Sequence, residues 1–154
     1  MIKPSFEQTA HLCREYSLVS SCKEVYADEV TPIILLRRLA QKSRRYVLLE
    51  SVEGGEKWGR YSFLGFDPIL RAVCKDGTVT IEGEKKKTLS TRQPLDVLRQ
   101  LLNECKAPKL DGLPPFTGGF VGYFAYAMLG YAEPTLKLKS GEFHDYDLML
   151  FDKV

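Results

Sequence analysis

The sequence lacks long apolar runs and lacks an excess of charge of one sign. A membrane-spanning helix needs about 20 consecutive apolar residues, and no segment of the 154-residue chain approaches that length. Its 22 basic and 20 acidic residues leave a formal net charge of +2, which does not favour a nucleic-acid partner. The first residues become polar at once, so no signal peptide is visible. We therefore expect a cytoplasmic protein without nucleic-acid or membrane partners.

Metal-binding spacings are also missing. The cysteines Cys13, Cys22, Cys74 and Cys105 form no CxxC pair, and the two histidines are far apart in the sequence. Structural zinc sites usually place ligands two to four residues apart, so no metal site is expected in this segment. A chain of this length can form a stable core without disulfides. The pattern therefore indicates four reduced thiols in the cytosol.

Catalytic and nucleotide-binding patterns are missing as well. The glycine-rich stretch 116–123 does not match GxGxxG and has no GK[ST] ending. We interpret its glycines as points of close strand approach and its aromatic residues as core. No nucleophile elbow is present, and Glu50, Glu53 and Glu56 recur at a three-residue spacing that has no fixed geometry in a loop. No catalytic residue is assigned.

Three segments carry helix signals. Ser5 opens a capping box that predicts a helix over about 6–15. Thr31 followed by Pro32 predicts a second helix, because threonine caps helices and proline suits the first helical position. Pro94 begins the third predicted helix. Apolar residues recur along this third helix at helical spacing, namely Leu95, Leu98, Leu101, Leu102 and Cys105.

Extended segments alternate with these helices. The apolar run 46–51 predicts a buried strand that delivers Glu50 and Ser51 to its end. Asp76-Gly77 predicts a hairpin, because type I′ turns need positive φ at both central positions. Further strands are predicted near 18–28, 60–66, 69–75, 78–82, 86–91 and 148–151. Hairpins mixed with amphipathic helices are typical of an α+β fold with a mostly antiparallel sheet and flanking helices.

The last residues follow a predicted buried strand without a closing helix. We therefore expect residues 1–154 to be one α+β unit of a longer natural chain. Its core would be shared with the following part, so an exposed apolar face and some self-association are expected.

Glu50, Ser51 and Arg60 are the best candidates for binding a small ligand. A carboxylate at a strand end can hold an ammonium group, a serine can donate or accept a hydrogen bond, and a guanidinium can neutralise a carboxylate. Together they suit a zwitterionic amino acid. The alternative is an ion pair that joins the strand to the following loop.

Three blocks of the sequence occur together in a known enzyme family. They are LLESVEGGEKWGRYSFLG at 48–65, FTGGFVGYF at 116–124 and LMLFD at 148–152. In content, order and approximate spacing they resemble the N-terminal region of anthranilate synthase component I. The resemblance covers about residues 5–154, and its first block is the most specific.

This resemblance implies a lyase of tryptophan biosynthesis that converts chorismate plus glutamine or ammonia to anthranilate. It implies an α+β fold with two sheets packed as a sandwich between outer helices. It also implies two partners, a glutamine amidotransferase subunit (component II) and the C-terminal chorismate-binding part of the same chain. Mg²⁺ is expected in that C-terminal part and no cofactor in this segment, which should be inactive alone.

The resemblance further implies a site for L-tryptophan as feedback inhibitor. The family's LLES glutamate and serine contribute to that pocket, which implicates Glu50 and Ser51, and the basic residue after the loop maps onto Arg60. From chemistry we expect Glu50 to meet the ammonium, Ser51 to make a polar contact and Arg60 to lie near the carboxylate. Leu49 is expected to back the pocket.

Two features keep alternatives open. The family commonly reads Tyr-Asp and then Arg after the VGYF block, whereas this chain reads YAMLG at 126–130, which leaves any charged contact from that stretch unsupported. Aminodeoxychorismate synthase component I, a folate-pathway relative, more often has Asp in the LLES motif and usually lacks the GRYSFLG continuation. A free-standing amino-acid-binding module is the other alternative.

Overall fold

The computed structural model describes residues 2–50, 61–136, 138 and 141–154. Its helices are α1 (Phe6–Leu12), α2 (Pro32–Ala40), α3 (Pro94–Glu104) and α4 (Leu129–Ala132), with a 3₁₀ turn at Tyr126–Met128 before α4. Its strands are β1 (Ile2–Lys3), β2 (Cys22–Lys23), β3 (Tyr46–Glu50), β4 (Ser62–Phe66), β5 (Leu70–Lys75), β6 (Thr78–Glu82), β7 (Lys86–Ser90), β8 (Gly119–Phe124) and β9 (Tyr146–Phe151).

Five strands form the main sheet, in the order β7-β6-β5-β9-β8, and every neighbouring pair is antiparallel. β5, β6 and β7 form a meander. The turn between β5 and β6 has positive φ at both Asp76 and Gly77, as the Asp-Gly signal predicted. β9, near the end of the chain, inserts between β5 and β8. The α+β class with antiparallel sheets is therefore confirmed.

Side-chain alternation gives the main sheet one apolar face. Ala72 and Cys74 of β5 are fully buried, as are Val79 of β6 and Tyr146 of β9. Val97 and Leu98 of α3 complete the same cluster. Successive side chains point to opposite faces of a strand, so the intervening residues form the second, more polar face. The third predicted helix therefore covers one face of the sheet. Leu98 of its predicted apolar spacing is buried, whereas Leu102 of the same spacing is 45% exposed.

A smaller antiparallel ladder lies beside this sheet. β3 and β4 pair over their whole length, from Tyr46 with Phe66 to Glu50 with Ser62. Gly65 brings this ladder against the main sheet, because a Cβ there would lie 3.0 Å from the Phe151 ring. The predicted strand over 46–51 is confirmed for residues 46–50, and 51 lies outside the described residues. Its predicted burial is wrong, because no residue of β3 is buried.

Other elements depart from prediction at the edges. The strand predicted over 18–28 is wrong, since only Cys22 and Lys23 are extended in a ladder. The first helix ends at Leu12, three residues earlier than predicted. None of its residues is buried, and Phe6 is 87% exposed. Short segments without a buried face gain little from tertiary packing, so their pattern is a poor guide to length.

Large apolar side chains remain exposed on several elements of the described chain. Ile33, Ile34 and Leu35 of α2 are exposed, as are Phe124 of β8 and Tyr126 after it. Isolated exposed apolar residues are normal, whereas adjacent ones mark contact surfaces. Among the described residues, no helix combines the length and apolar character that a membrane span requires.

The glycine-rich stretch forms β8, and its glycines allow close approach of the strands. Gly122 pairs with Leu148, and a Cβ at Gly122 would lie 2.0 Å from the backbone oxygen of Asp147. No side chain fits at that distance, so the interpretation of the glycines as points of close strand approach is confirmed. The interpretation of the aromatic residues as core is wrong for Tyr123, which is 42% exposed.

We expect Gly122→Ala to lower the free energy of unfolding by at least about 2 kcal/mol, because backbone would have to move away from the new methyl group. Urea unfolding followed by circular dichroism measures the change. Gly141→Ala is the matched control, since a Cβ at Gly141 meets nothing within 4 Å. Equal stability of the two variants would contradict the close contact between β8 and β9.

Candidate functional site

The end of β3 presents Glu50 in an exposed position. Glu50 lies opposite Ser62 in the β3–β4 ladder, and the Ser62 hydroxyl donates a hydrogen bond to Glu50 Oε1 at 3.3 Å. One carboxylate oxygen is therefore oriented by the neighbouring strand, and the group remains accessible. A carboxylate accepts several hydrogen bonds, so Glu50 can still bind an ammonium group.

Leu49 points away from Glu50, because adjacent residues of a strand alternate between faces. It lies opposite Phe63. The Phe63 ring stacks on Tyr61 with centroids 5.8 Å apart and meets Phe116 edge-on at 5.5 Å. Leu49 thus belongs to an aromatic face of the ladder, while Glu50 belongs to the opposite face. A common pocket for the two residues stays a prediction.

Two other predicted site residues, Ser51 and Arg60, lie outside the described residues. Both flank the described ladder in sequence, one after β3 and one before β4. Their roles stay predictions.

The base of the β3–β4 ladder is held by a buried serine. Ser43 is 4% exposed, and its hydroxyl donates to the Arg45 backbone oxygen at 2.8 Å. Ser43 Oγ in turn accepts hydrogen bonds from the backbone N–H groups of Arg45 and Asp67, each at 3.3 Å. The Asp67 N–H also bonds the Arg45 backbone oxygen at 3.0 Å. The residues before β3 and after β4 are therefore joined into one unit.

Four charged side chains connect this unit to the polar face of the main sheet. Arg45 Nη2 lies 3.2 Å from Glu82 Oε2, and Arg71 Nη1 lies 3.6 Å from the same oxygen. Arg71 then binds Asp147 through two parallel contacts, Nε to Oδ1 at 2.7 Å and Nη2 to Oδ2 at 2.5 Å. We call Arg45, Glu82, Arg71 and Asp147 the charge network.

The two inner members of the charge network shift each other's ionisation. The hydrogen bonds from Arg71 hold the pKa of Asp147 below its usual value, and Asp147 raises the pKa of Arg71. His144 Nδ1 approaches the same carboxylate at 3.9 Å. A two-pronged guanidinium–carboxylate contact is stronger and more directional than a single ion pair. Sequence reasoning missed this network, although an isolated aspartate within the apolar strand β9 was an available signal.

A second polar cluster lies inside the core. Asp145 is 2% exposed and accepts a hydrogen bond from the Tyr131 hydroxyl at 2.8 Å. The Cys74 thiol lies 3.6 Å from the same carboxylate oxygen, and burial raises the pKa of Cys74 to about 11. A buried thiol that stays protonated is a poor nucleophile. This cluster therefore stabilises the junction of β5 and β9 and offers no reactive group.

Comparisons with known proteins identify the family of this chain. No family model matches it. It is 36% identical over 134 residues to anthranilate synthase component 1 of Acetivibrio thermocellus, a match that covers 86% of this chain and 27% of that protein. The corresponding protein of Aquifex aeolicus is 34% identical over 148 residues, covering 95% of this chain and 30% of that protein. The chain belongs to the anthranilate synthase component 1 family.

The matches cover only part of each relative. Anthranilate synthase component 1 of Pseudomonas aeruginosa is 37% identical over 123 residues, which cover 79% of this chain and 25% of that protein. A crystal structure of anthranilate synthase component I from Streptococcus pneumoniae aligns with a TM-score of 0.48 at 22% identity, over 84% of this chain and 27% of that one. The family resemblance carried by the three sequence blocks is confirmed.

The lowered pKa of Asp147 predicts a specific loss of stability in acid. A depressed carboxyl pKa stabilises the folded state above the unfolded value of about 3.9 and ceases to do so as the pH falls through the folded value. Asp147→Asn should therefore lower the free energy of unfolding by about 1–2 kcal/mol at neutral pH, since the group is partly screened by solvent. The difference from the parent chain should shrink below about pH 4.

Urea unfolding between pH 3 and pH 7 measures this difference. Asp96→Asn is the control, because Asp96 pairs with Arg99 on the exposed side of α3 and exposed pairs contribute little. A difference between parent and Asp147→Asn that stays constant with pH would contradict an ionised pair.

Proposed function

We propose that the chain is the N-terminal regulatory part of anthranilate synthase component 1 and carries part of a tryptophan feedback site. The observation that carries this proposal is the family match together with the exposed placement of Glu50 at the end of β3. The complete enzyme would convert chorismate plus glutamine or ammonia to anthranilate as a cytoplasmic lyase. Its partners would be the glutamine amidotransferase subunit and the chorismate-binding part of the same chain.

The family implies a magnesium site, and the described residues do not fit one. Within residues 2–50, 61–136, 138 and 141–154, no three His, Cys, Asp or Glu side chains converge so as to hold a metal ion. Magnesium prefers a set of oxygen ligands in octahedral geometry. We propose, as the family resemblance implies, that the metal and the chorismate chemistry belong to the part of component 1 that this chain does not match.

The chemistry of the ladder suits the ammonium end of an amino acid. Glu50 is exposed and has one oxygen oriented by Ser62, so its remaining acceptor positions can meet a cation in a charge-assisted hydrogen bond. Ser51 would add a polar contact, and Arg60 would supply the positive charge near the ligand carboxylate. The remaining wall of the pocket would come from the unmatched part of the enzyme.

The folate-pathway alternative and the free-standing module gain no support from these observations. Each of the three relatives named above is an anthranilate synthase component 1, and this chain has Glu50 in the motif where the folate relative more often has Asp. The gene sequence downstream of this segment distinguishes the cases, because a chorismate-binding domain there excludes a free-standing module.

We expect the purified chain alone to form no anthranilate from chorismate and ammonia in the presence of Mg²⁺. The reason is that the family resemblance implies a Mg²⁺ site and acid and base groups in the C-terminal part of component 1, which this chain does not match. Anthranilate fluorescence measures the reaction, and the complete Aquifex aeolicus component 1 serves as positive control. Turnover by this chain above background would contradict the assignment of the chemistry to the unmatched part.

In the complete component 1, Ser51→Ala should weaken tryptophan inhibition by about tenfold. A hydrogen bond to a charged group contributes roughly 1.5–3 kcal/mol, and about 1.4 kcal/mol corresponds to one decade in affinity. Glu50→Gln should weaken it at least as much, because the charge that meets the ligand ammonium is lost. Turnover without tryptophan should stay near normal, since the pocket is separate from the chorismate site.

Tryptophan titrations at fixed chorismate measure both quantities. Ser90→Ala is the matched serine control, because Ser90 lies on the exposed edge strand β7. Unchanged inhibition of Ser51→Ala would remove Ser51 from the pocket. Collapse of the uninhibited turnover would indicate a structural or catalytic role instead.

A further inference from the structure

We propose that the charge network sets the orientation of the β3–β4 ladder on the main sheet and thereby positions Glu50 for the inhibitor. The orientation part of this inference rests on the contacts of the described residues alone. The inhibitor part rests on the proposed function. Arg45, Glu82, Arg71 and Asp147 would thus be positioning residues that act on the site without touching the ligand.

Arg45 is rigidly joined to the ladder. Its backbone oxygen accepts hydrogen bonds from the Ser43 hydroxyl and from the Asp67 N–H, and the next residue, Tyr46, begins β3. Ser43 is buried, so this junction cannot easily exchange its bonds with water. A force on the Arg45 side chain is therefore transmitted to both strands of the ladder.

Glu82 is the point where the ladder meets the main sheet. It is the last residue of β6 and lies directly opposite Arg71 of β5. One of its oxygens, Oε2, lies within 4 Å of both Arg45 and Arg71. Because this single atom is shared, its position relative to Arg71 determines where Arg45 finds its partner.

Arg71 in turn is fixed by Asp147. The two parallel contacts between them hold the planar guanidinium at one angle. Their side chains are 29% and 19% exposed, so water competes only partly for these bonds. Arg71 and Asp147 lie on β5 and β9, two of the three inner strands of the sheet. The network is therefore anchored on two strands that are each paired with a neighbour on both sides.

One backbone hydrogen bond also joins the base of the ladder to the chain after β9, from the Phe66 N–H to the Lys153 oxygen at 3.2 Å. The apolar contacts of the ladder have little directional preference. Gly65 packs against the Phe151 ring, and Phe63 meets the Phe116 ring. Apolar packing depends on area rather than angle, whereas the charge network contains geometrically specific hydrogen bonds. Single exposed ion pairs contribute little, but networks with a two-pronged arginine are the exception.

A small rotation of the ladder at Arg45 displaces Glu50 by a larger distance, because Glu50 lies at the other end of β3. Glu50 follows Arg45 by five residues, which spans about 17 Å in an extended strand, so a tilt of about 10° at the base moves the carboxylate about 3 Å. A displacement of that size exceeds the tolerance of a hydrogen bond. Loss of the Arg45–Glu82 contact should therefore weaken inhibitor binding without a change in the residues that touch the inhibitor.

Residual dipolar couplings of backbone amides in the 154-residue chain test the orientation directly. In the parent, one alignment tensor should fit the amides of both β3–β4 and the main sheet. In Arg45→Met, and likewise in Glu82→Gln, the ladder should need its own tensor while the main sheet keeps its values. Arg44→Met is the matched control, because it removes the same charge one residue earlier and is expected to keep the single tensor.

Tryptophan inhibition of the complete component 1 tests the positioning role. Arg45→Met should raise the half-inhibiting tryptophan concentration about threefold to tenfold and leave uninhibited turnover and its KM for chorismate unchanged. Arg44→Met should behave as the parent.

The two measurements test separately whether the charge network orients the ladder and whether that orientation affects inhibitor binding. A single tensor in both Arg45→Met and Glu82→Gln would overturn the orienting role of the network. A changed tensor with unchanged inhibition would overturn its link to the inhibitor site. If the parent enzyme is not inhibited by tryptophan at all, the proposed function fails, while the tensor measurement still decides the orienting role.

Discussion

The pairing of β9 with both β5 and β8 is the constraint on which the rest of the structure depends. β9 is separated by about 70 residues from β5 in sequence, yet it pairs with it over five consecutive residues and with β8 over six. It contributes Tyr146 and Leu148 to the apolar cluster on one face. On its other face it supplies Asp147 to the charge network. Without β9 neither the core nor the polar face of the sheet would be complete.

Close approach of β8 makes this pairing possible. The backbone oxygen of Asp147 occupies the space that a side chain at Gly122 would need, so glycine is required there for steric reasons. The same register places the Asp147 carboxylate beside Arg71. The close packing at Gly122 of β8 and the ion pair between Asp147 and Arg71 therefore both depend on the same alignment of β8, β9 and β5.

The two faces of the main sheet contact different parts of the structure. One face packs against α3 and contains the Cys74–Asp145–Tyr131 cluster, whose buried polar atoms are satisfied within the described structure. The other face carries the charge network and lies against the β3–β4 ladder. The candidate ligand residue Glu50 is at the far end of that ladder, so the sheet influences it through contacts at the base. This arrangement places the candidate ligand residue away from the core while joining its ladder, through the charge network, to β5 and β9.

Local sequence signals determined the elements of this protein but not their arrangement. The capping residues at Ser5 and Thr31, the Asp76-Gly77 turn and the apolar spacing of α3 act over a few residues. Each predicts that its element exists, although the helix after Ser5 is shorter than predicted. The strand that presents Glu50 was predicted for the same reason, and the LLES block led to the family. Only the tertiary structure decided that β9 lies between β5 and β8, that Leu49 and Glu50 face opposite sides of the ladder, and that Arg45 meets Glu82. Those outcomes depend on contacts between residues far apart in the chain, and a periodicity read along one segment carries no information about its distant partner.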